Sequence, residues 1–269
     1  INRMQRRYTE EKVRYFANMA HDMRTSLTLI SAPVEELAKD YDMDAKSRYY
    51  VGLIAEQAAR LSSVSTQLLD FQKVDVGKGQ LFLVMTDIVE LVSQRKSMFE
   101  SFARKERVSL LFSSDQDHFV TAVDVLKIEK VVDNLISNAI KYSHPDGDVE
   151  IILHCDRKKW TLEVKDYGLG ISEKAKKKLF SEFYRGDNAI NSRIVGSGIG
   201  LLLVKSYVNM HEGQVSVNSK INAGSSFKLI IPFKHIDTDR NPVADRSAIP
   251  TVVANDNIVV DASDGEVPK

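Results

Sequence analysis

Cysteine is almost missing from this 269-residue chain. Cys155 stands alone, so no internal disulfide framework holds the fold, and a lone thiol is compatible with a reducing compartment. There is no excess charge of either sign: Lys+Arg and Asp+Glu number 37 each. A generic nucleic-acid binder is usually basic, so no nucleic-acid partner is expected. No stretch approaches the roughly 18 apolar residues of a membrane-spanning helix, and no signal-peptide pattern opens the chain. What remains is ordinary, 43% apolar and 28% charged, enough for a buried core in about two domains of roughly 100–200 residues.

The first residue is Ile1 and not Met, and Arg3, Arg6 and Arg7 follow closely. We expect a piece of a longer protein, with these arginines either flanking the cytoplasmic end of a membrane helix or simply starting a basic helix. Residues 1–75 carry apolar residues at helical spacing and one glycine, Gly52, with a break at Asp40–Asp44. That predicts a helical hairpin. A lone pair buries little, so a second copy should complete a dimeric four-helix bundle. Residues 76–80 read as a linker. Residues 81–234 mix strands (81–85, 109–114, 119–123, 149–155, 159–166, 214–219, 225–232) with helices (87–105, 124–142, 172–180, 198–211). The class is α+β: a mostly antiparallel sheet with helices on one face. Residues 235–269 lose periodicity and read as a flexible tail.

On a helical wheel with about 100° per residue, Phe16, Met23, Leu27, Ile30 and Val34 form a stripe and His21 lies opposite it. A histidine facing solvent is either idle or chemical. Its neighbours favour chemistry: Asp22 can bond one ring nitrogen, fixing the tautomer and leaving the other as a nucleophile. Thr25, one turn on, can orient a water. Pro33 should kink this helix.

The same wheel, with Asn134 at zero, puts Asn138 and Lys141 within about 40° of it, and Val131, Val132, Leu135, Ile136, Ala139 and Ile140 on the other arc. A solvated helix face is one reading. The other is a nucleotide face, because amide oxygens ligate a hard cation such as Mg²⁺ and Lys meets phosphate, while Tyr142 can pack on a base. Asp166-Tyr167-Gly168-Leu169-Gly170 ends a predicted strand; the carboxylate can accept from an amino group, and the glycines let backbone approach a ligand. Gly196-Ser197-Gly198-Ile199-Gly200-Leu201 opens a helix whose free N–H groups favour phosphate. It is neither a dinucleotide fingerprint nor a P-loop. The preceding stretch 187–195 is a lid or a plain loop. Arg185, after Phe180, Phe183 and Tyr184, can reach a phosphate or stay at the surface.

The four boxes, His21–Thr25, Asn134–Tyr142, Asp166–Gly170 and Gly196–Leu201, with Phe180–Arg185 between the last two, resemble in order and spacing the catalytic core of bacterial sensor histidine kinases, most nearly the hybrid sensors of the Bacteroides group. The resemblance covers about residues 8–233. It implies a dimerisation and phosphotransfer domain at 1–75 and a Bergerat-type ATP-binding domain at 81–234. His21 would be phosphorylated, Asp22 would act as base, and Thr25 would position water for receiver dephosphorylation. Asn138 would hold Mg²⁺, Asn134, Lys141 and Arg185 would serve the phosphates, Tyr142 and Asp166 would meet adenine, and Gly168, Gly170, Gly196, Gly198, Gly200 and Leu201 would shape the site. ATP and Mg²⁺ are the implied cofactors. The implied partners are a second copy and a response-regulator receiver domain, possibly in the same polypeptide. The implied location is the cytoplasmic portion of an inner-membrane sensor, with membrane contact only through segments outside this chain.

Two positions depart from the family pattern: Asp22 where Glu is usual, which shortens the carboxylate's reach, and Ser26 where proline is usual, which should leave the helix straighter. Two rival readings follow. A chaperone or DNA-topology ATPase would carry glutamate where Asn134 stands. A scaffold would bind nucleotide without transferring phosphate.

Overall fold

The computed structural model describes residues 23, 26–39, 43–75, 80–180 and 198–236. It opens on a helix, α1, over residues 26–37, and a second, α2 (Ala45–Asp75). Asp44 starts α2: its Oδ1 accepts from the backbone N–H of Lys46 at 2.8 Å and Ser47 at 2.9 Å, satisfying donors that the helix leaves over. Leu27 and Val34, seven residues apart, are buried, as are Ala58 and Ser65 at the same interval. Ile30 is not: it is 47% exposed, alongside exposed Leu29, Leu37, Leu53, Ile54 and Leu61. The expected single stripe is therefore split. Leu27 and Val34 share one line along the helix, and what covers that line does not reach Ile30.

The rest is a sandwich. A two-stranded ribbon, β1 (Val84–Asp87) with β3 (Val120–Val123), accompanies a five-stranded sheet of β2 (Ser109–Ser114), β4 (Asp148–Cys155), β5 (Lys159–Asp166), β6 (Gln214–Ser219) and β7 (Ser225–Pro232). The sheet order is β2-β4-β5-β7-β6. Only β2–β4 is parallel, and the other three pairings are antiparallel. Register aligns apolar rows: Ile151, Val164 and Phe227 form one, Leu153, Leu162 and Leu229 the next, and Cys155, Trp160 and Ile231 a third.

Against these rows lie α3 (Ile88–Lys105), α4 (Val125–Tyr142) and α6 (Gly200–Met210), whose Ile128, Leu135, Ile136, Leu203 and Val208 join one core with the strands. A single turn, α5 (Glu173–Lys176), follows β5. Side-chain caps start these helices: Asp87 for α3, Asp124 for α4 and Ser172 for α5. The opposite sheet face is open, with Leu111 51% exposed. Hairpin and sandwich belong to one compact unit ending at Ile236, and α2 packs on α6. Among the described residues no helix is long and apolar enough to cross a membrane.

Two packing details hold α4 in place. The guanidinium of Arg95 on α3 grips Asp133, Nε to Oδ1 at 2.8 Å and Nη2 to Oδ2 at 2.5 Å, the bidentate geometry that only arginine offers. At the start of α4, the buried ring of His211 takes the backbone N–H of Asp124 on Nε2 at 3.0 Å while Nδ1–H donates to the carbonyl of Tyr207 at 2.7 Å. That pairing requires the neutral ring. Burial, the largest influence, lowers its pKa from the ordinary value.

Candidate functional site

One face of α4 borders a cleft of ≈ 1070 Å³, together with the turn after β5, the start of α6 and part of α2 between Ala59 and Asp70. Asn134, Asn138, Lys141 and Tyr142 all line it, while the opposite arc, Val131 through Ile140, is buried in the core. The helical period alone explains both facts: a core on one side leaves the polar stripe for the other. Asn134 is set by its own helix, Nδ2 donating to the Lys130 carbonyl at 2.7 Å, which leaves Oδ1 as an acceptor in the cleft. Gly200 faces it, and a Cβ there would lie 2.4 Å from that oxygen.

Lys141 makes no ion pair with a described carboxylate. Desolvation of its ammonium and then the like charge of Arg60 lower its pKa. Asn138 makes no side-chain hydrogen bond to a described residue, so its amide oxygen is available to a ligand.

Asp166 lines the cleft at 3% exposure. Its Oδ1 accepts from the backbone N–H of Gly168 at 3.0 Å and of Ser225 at 3.2 Å, and Oδ2 is bonded to no described residue. Burial raises its pKa above that of an ordinary aspartate, and the two N–H donors oppose the rise. A carboxylate held rigidly by one oxygen presents the other as a fixed acceptor.

The glycines divide into two groups. Gly170, Gly198, Gly200 and Leu201 line the cleft. The N-cap of α6, Ile199, makes no side-chain cap hydrogen bond, and a helix N-terminus facing a cleft favours an anion there. Gly168 does not line it. A Cβ on Gly168 would sit 1.7 Å from the Tyr142 carbonyl, and one on Gly170, at φ 65°, would sit 2.0 Å from the Lys220 carbonyl. The sequence suggested backbone reaching a ligand; the missing Cβ of Gly168 lets the end of α4 close against the strand end, and that of Gly170, which also lines the cleft, lets the β6–β7 turn do so. His21, Asp22, Thr25, Arg185 and Gly196 lie outside the described residues.

Sequence reasoning missed the α2 wall. Asp70 Oδ2 meets Lys130 Nζ at 2.5 Å, and Arg60 lines the cleft with Lys141. Sixty residues separate Asp70 from Lys130 and eighty-one separate Arg60 from Lys141, and no local pattern encodes such meetings.

Residues 11–77 match the His Kinase A (phospho-acceptor) domain, and residues 123–235 match the histidine kinase-, DNA gyrase B- and HSP90-like ATPase domain. Together the two models span more than half of the chain, in the order the boxes implied. The chain belongs to the histidine kinases. This kinase core is 31% identical over 228 residues to Hybrid signal transduction histidine kinase D of Dictyostelium discoideum, covering 83% of this chain and 15% of that protein. Among solved structures its fold is that of full-length ShkA in complex with AMPPNP (TM-score 0.70, 21% identity, 83% of this chain and 46% of that one). It is also that of ThkA in complex with the response regulator protein TrrA (TM-score 0.56, 22% identity, 89% and 66%). The phospho-acceptor domain separates the kinase core from chaperone and DNA-topology ATPases, which share only the second domain type.

Proposed function

We propose that this chain phosphorylates itself on His21 from ATP and passes the phosphoryl group to an aspartate of a receiver domain. The observation that carries this reading is the convergence of Asn134, Asn138, Lys141, Asp166 and the donor-rich start of α6 on one cleft, in a chain that also matches a phospho-acceptor domain. Adenine stacks beside Tyr142 and donates its amino group to Asp166. Lys141 and the α6 N–H groups hold phosphate, with Arg185 and Gly196 joining from the lid. A ring nitrogen of His21 attacks the γ-phosphorus, the bond to the β–γ bridging oxygen breaks, and ADP leaves with that electron pair. Asp22 takes the ring proton. Positioning and charge neutralisation do most of the work in such a transfer.

Mg²⁺ fits the donor set in one way. Among the described residues no cluster of three His, Cys, Asp or Glu could hold a metal by itself, whereas Mg²⁺ in phosphoryl-transfer sites keeps waters and uses few protein ligands plus substrate phosphates. Asn138 offers an uncommitted amide oxygen for that role. The ion, when bound, would neutralise phosphate charge.

The same reading assigns residues 1–75 to dimerisation and phosphotransfer and 81–234 to ATP binding. The exposed apolar residues of the hairpin support a four-helix bundle with a second copy. ThkA's complex with TrrA supports a receiver as partner, and the hybrid relative supports one in the same polypeptide. Thr25 would orient water for receiver dephosphorylation, and the chain would be the cytoplasmic part of an inner-membrane sensor.

Incubation with Mg²⁺ and γ-labelled ATP tests the reading. Acid-labile, alkali-stable label that disappears in His21→Gln is expected. Label that survives this substitution would remove His21 from the mechanism, and bound ATP with no label would favour a nucleotide-binding scaffold.

A further inference from the structure

Three acids line the cleft and each is engaged. Asp70 pairs with Lys130 and Asp133 with Arg95, while Asp166 takes the N–H groups of Gly168 and Ser225. Three cations line it too, Lys130, Arg60 and Lys141. Lys130 is accounted for. Arg60 and Lys141 have no carboxylate partner among the described residues; the best contact of Arg60 is a 3.5 Å approach of Nη1 to Gln57 Oε1 on its own helix. Two like charges lining one cleft without an anion cost energy unless an anion arrives.

The positions of these cations are not accidental. Asp70 and Arg60 are ten residues apart on α2, and their counterparts Lys130 and Lys141 are eleven apart on α4. At 1.5 Å per residue these spans are about 15 Å and about 16 Å. The two spans nearly match, with the Asp70–Lys130 ion pair at one end and Arg60 and Lys141, both on the cleft wall, at the other. The nucleotide site, on the reading above, lies at that second end: Lys141 and Tyr142 close α4 there, and Asp166 and the start of α6 line the same cleft.

We propose that Arg60, on the second helix of the phospho-acceptor domain, is a phosphate-binding residue of the ATP site, its guanidinium and the ammonium of Lys141 bracketing the polyphosphate. This rests on the nucleotide reading of the cleft and adds to it a contact from the other domain. Arginine suits the role, since its fork meets phosphate oxygens in pairs and stays charged throughout the working pH range. A nucleotide bound this way ties α2 to α4, so a ligand without phosphates cannot do so.

The test is calorimetric titration of the whole chain with Mg²⁺–ATP and, separately, with adenosine. Arg60→Gln is expected to weaken ATP about tenfold and leave adenosine unchanged, and Arg60→Lys to recover part of the loss; circular dichroism and the melting midpoint check that each variant is folded. Lys141→Gln and Asp166→Asn serve as references. If Lys141→Gln weakens ATP and folded Arg60→Gln does not, Arg60 is no phosphate ligand while the nucleotide reading stands. If Arg60→Gln weakens ATP and adenosine equally, its role is to shape the cleft, and the proposal fails. If no variant changes ATP binding, the nucleotide reading fails and takes the proposal with it.

Discussion

Asp166 and His211 are both buried titratable groups, and they respond to acid in opposite ways. The Asp166 carboxylate is raised by burial, so protonation relieves a cost to the fold while removing the acceptor for an amino group. Nucleotide affinity is expected to fall on acidification above the pH at which an ordinary aspartate, near 3.8, would protonate. Titrations between neutral and mildly acidic pH check this. Asp166→Asn, which exchanges a charged acceptor for a neutral amide, is expected to cost about 1.5–3 kcal/mol of binding, or roughly tenfold to a hundredfold in Kd.

For His211 the folded pKa is lowered from 6.5 by burial. Below 6.5 the unfolded chain gains a proton that the folded ring refuses, so stability present above 6.5 is lost as pH falls toward the folded value. Asp124 and the Tyr207 carbonyl resist this shift, and Lys127 and Lys234 add to it. The melting midpoint is therefore expected to drop between pH 7.5 and 5.5 by more in the natural chain than in His211→Gln. The two residues also differ in how readable they were. Asp166 ends a strand before Gly-x-Gly and announced itself, whereas His211 pairs with a backbone N–H 87 residues away and carries no local signature.

Elements were legible where a single period governs them. β2, β5, β6 and β7 have the expected ends, and α4 differs by one residue because Asp124 caps the helix from outside it. Val84 and Asp87 bound β1, three residues later than expected at its start, because pairing with β3 and not apolar content decides where the ribbon begins. The glycines show the other limit. Sequence marked Gly168 and Gly170 as special, yet it is distant backbone, of Tyr142 and Lys220, that occupies the missing Cβ positions. Gly168→Ala should thus destabilise the domain by more than about 2 kcal/mol, through displaced backbone, which thermal melts would register.

Gly52 is the opposite case. It sits inside α2 with nothing within 4 Å of a would-be Cβ. Gly52→Ala is expected to stabilise the hairpin by about 0.5–1 kcal/mol, read as a higher melting midpoint of the helical signal. No change would mean that the hairpin's stability is set elsewhere.

At the scale of the whole molecule, the fold class followed from the order of periods along the chain, two long helices and then alternating strands and helices. The approach of α2 to the ATPase domain did not, because it rests on Asp70–Lys130 and on packing between distant surfaces. Assembly belongs to this scale as well. Leu29, Ile30, Leu53 and Ile54 are exposed on the hairpin, more apolar surface than a soluble helix pair ordinarily shows. Replacing Leu29 and Ile30 by Glu is expected to convert a dimer into a monomer in sedimentation velocity without unfolding the sandwich; a dimer that persists would place the interface elsewhere.

The one parallel pairing, β2 with β4, carries a kinetic consequence. β4 and β5 are joined by residues 156–158 and can zip as a hairpin, but β2 reaches β4 only after β3 and all of α4 have found their places. Loop closure of that length comes late and is undone early. Edge strand β2 should exchange its amide hydrogens before β4 and β5 do and regain protection after their hairpin on refolding, so that the hairpin stands before this border of the sheet is sealed.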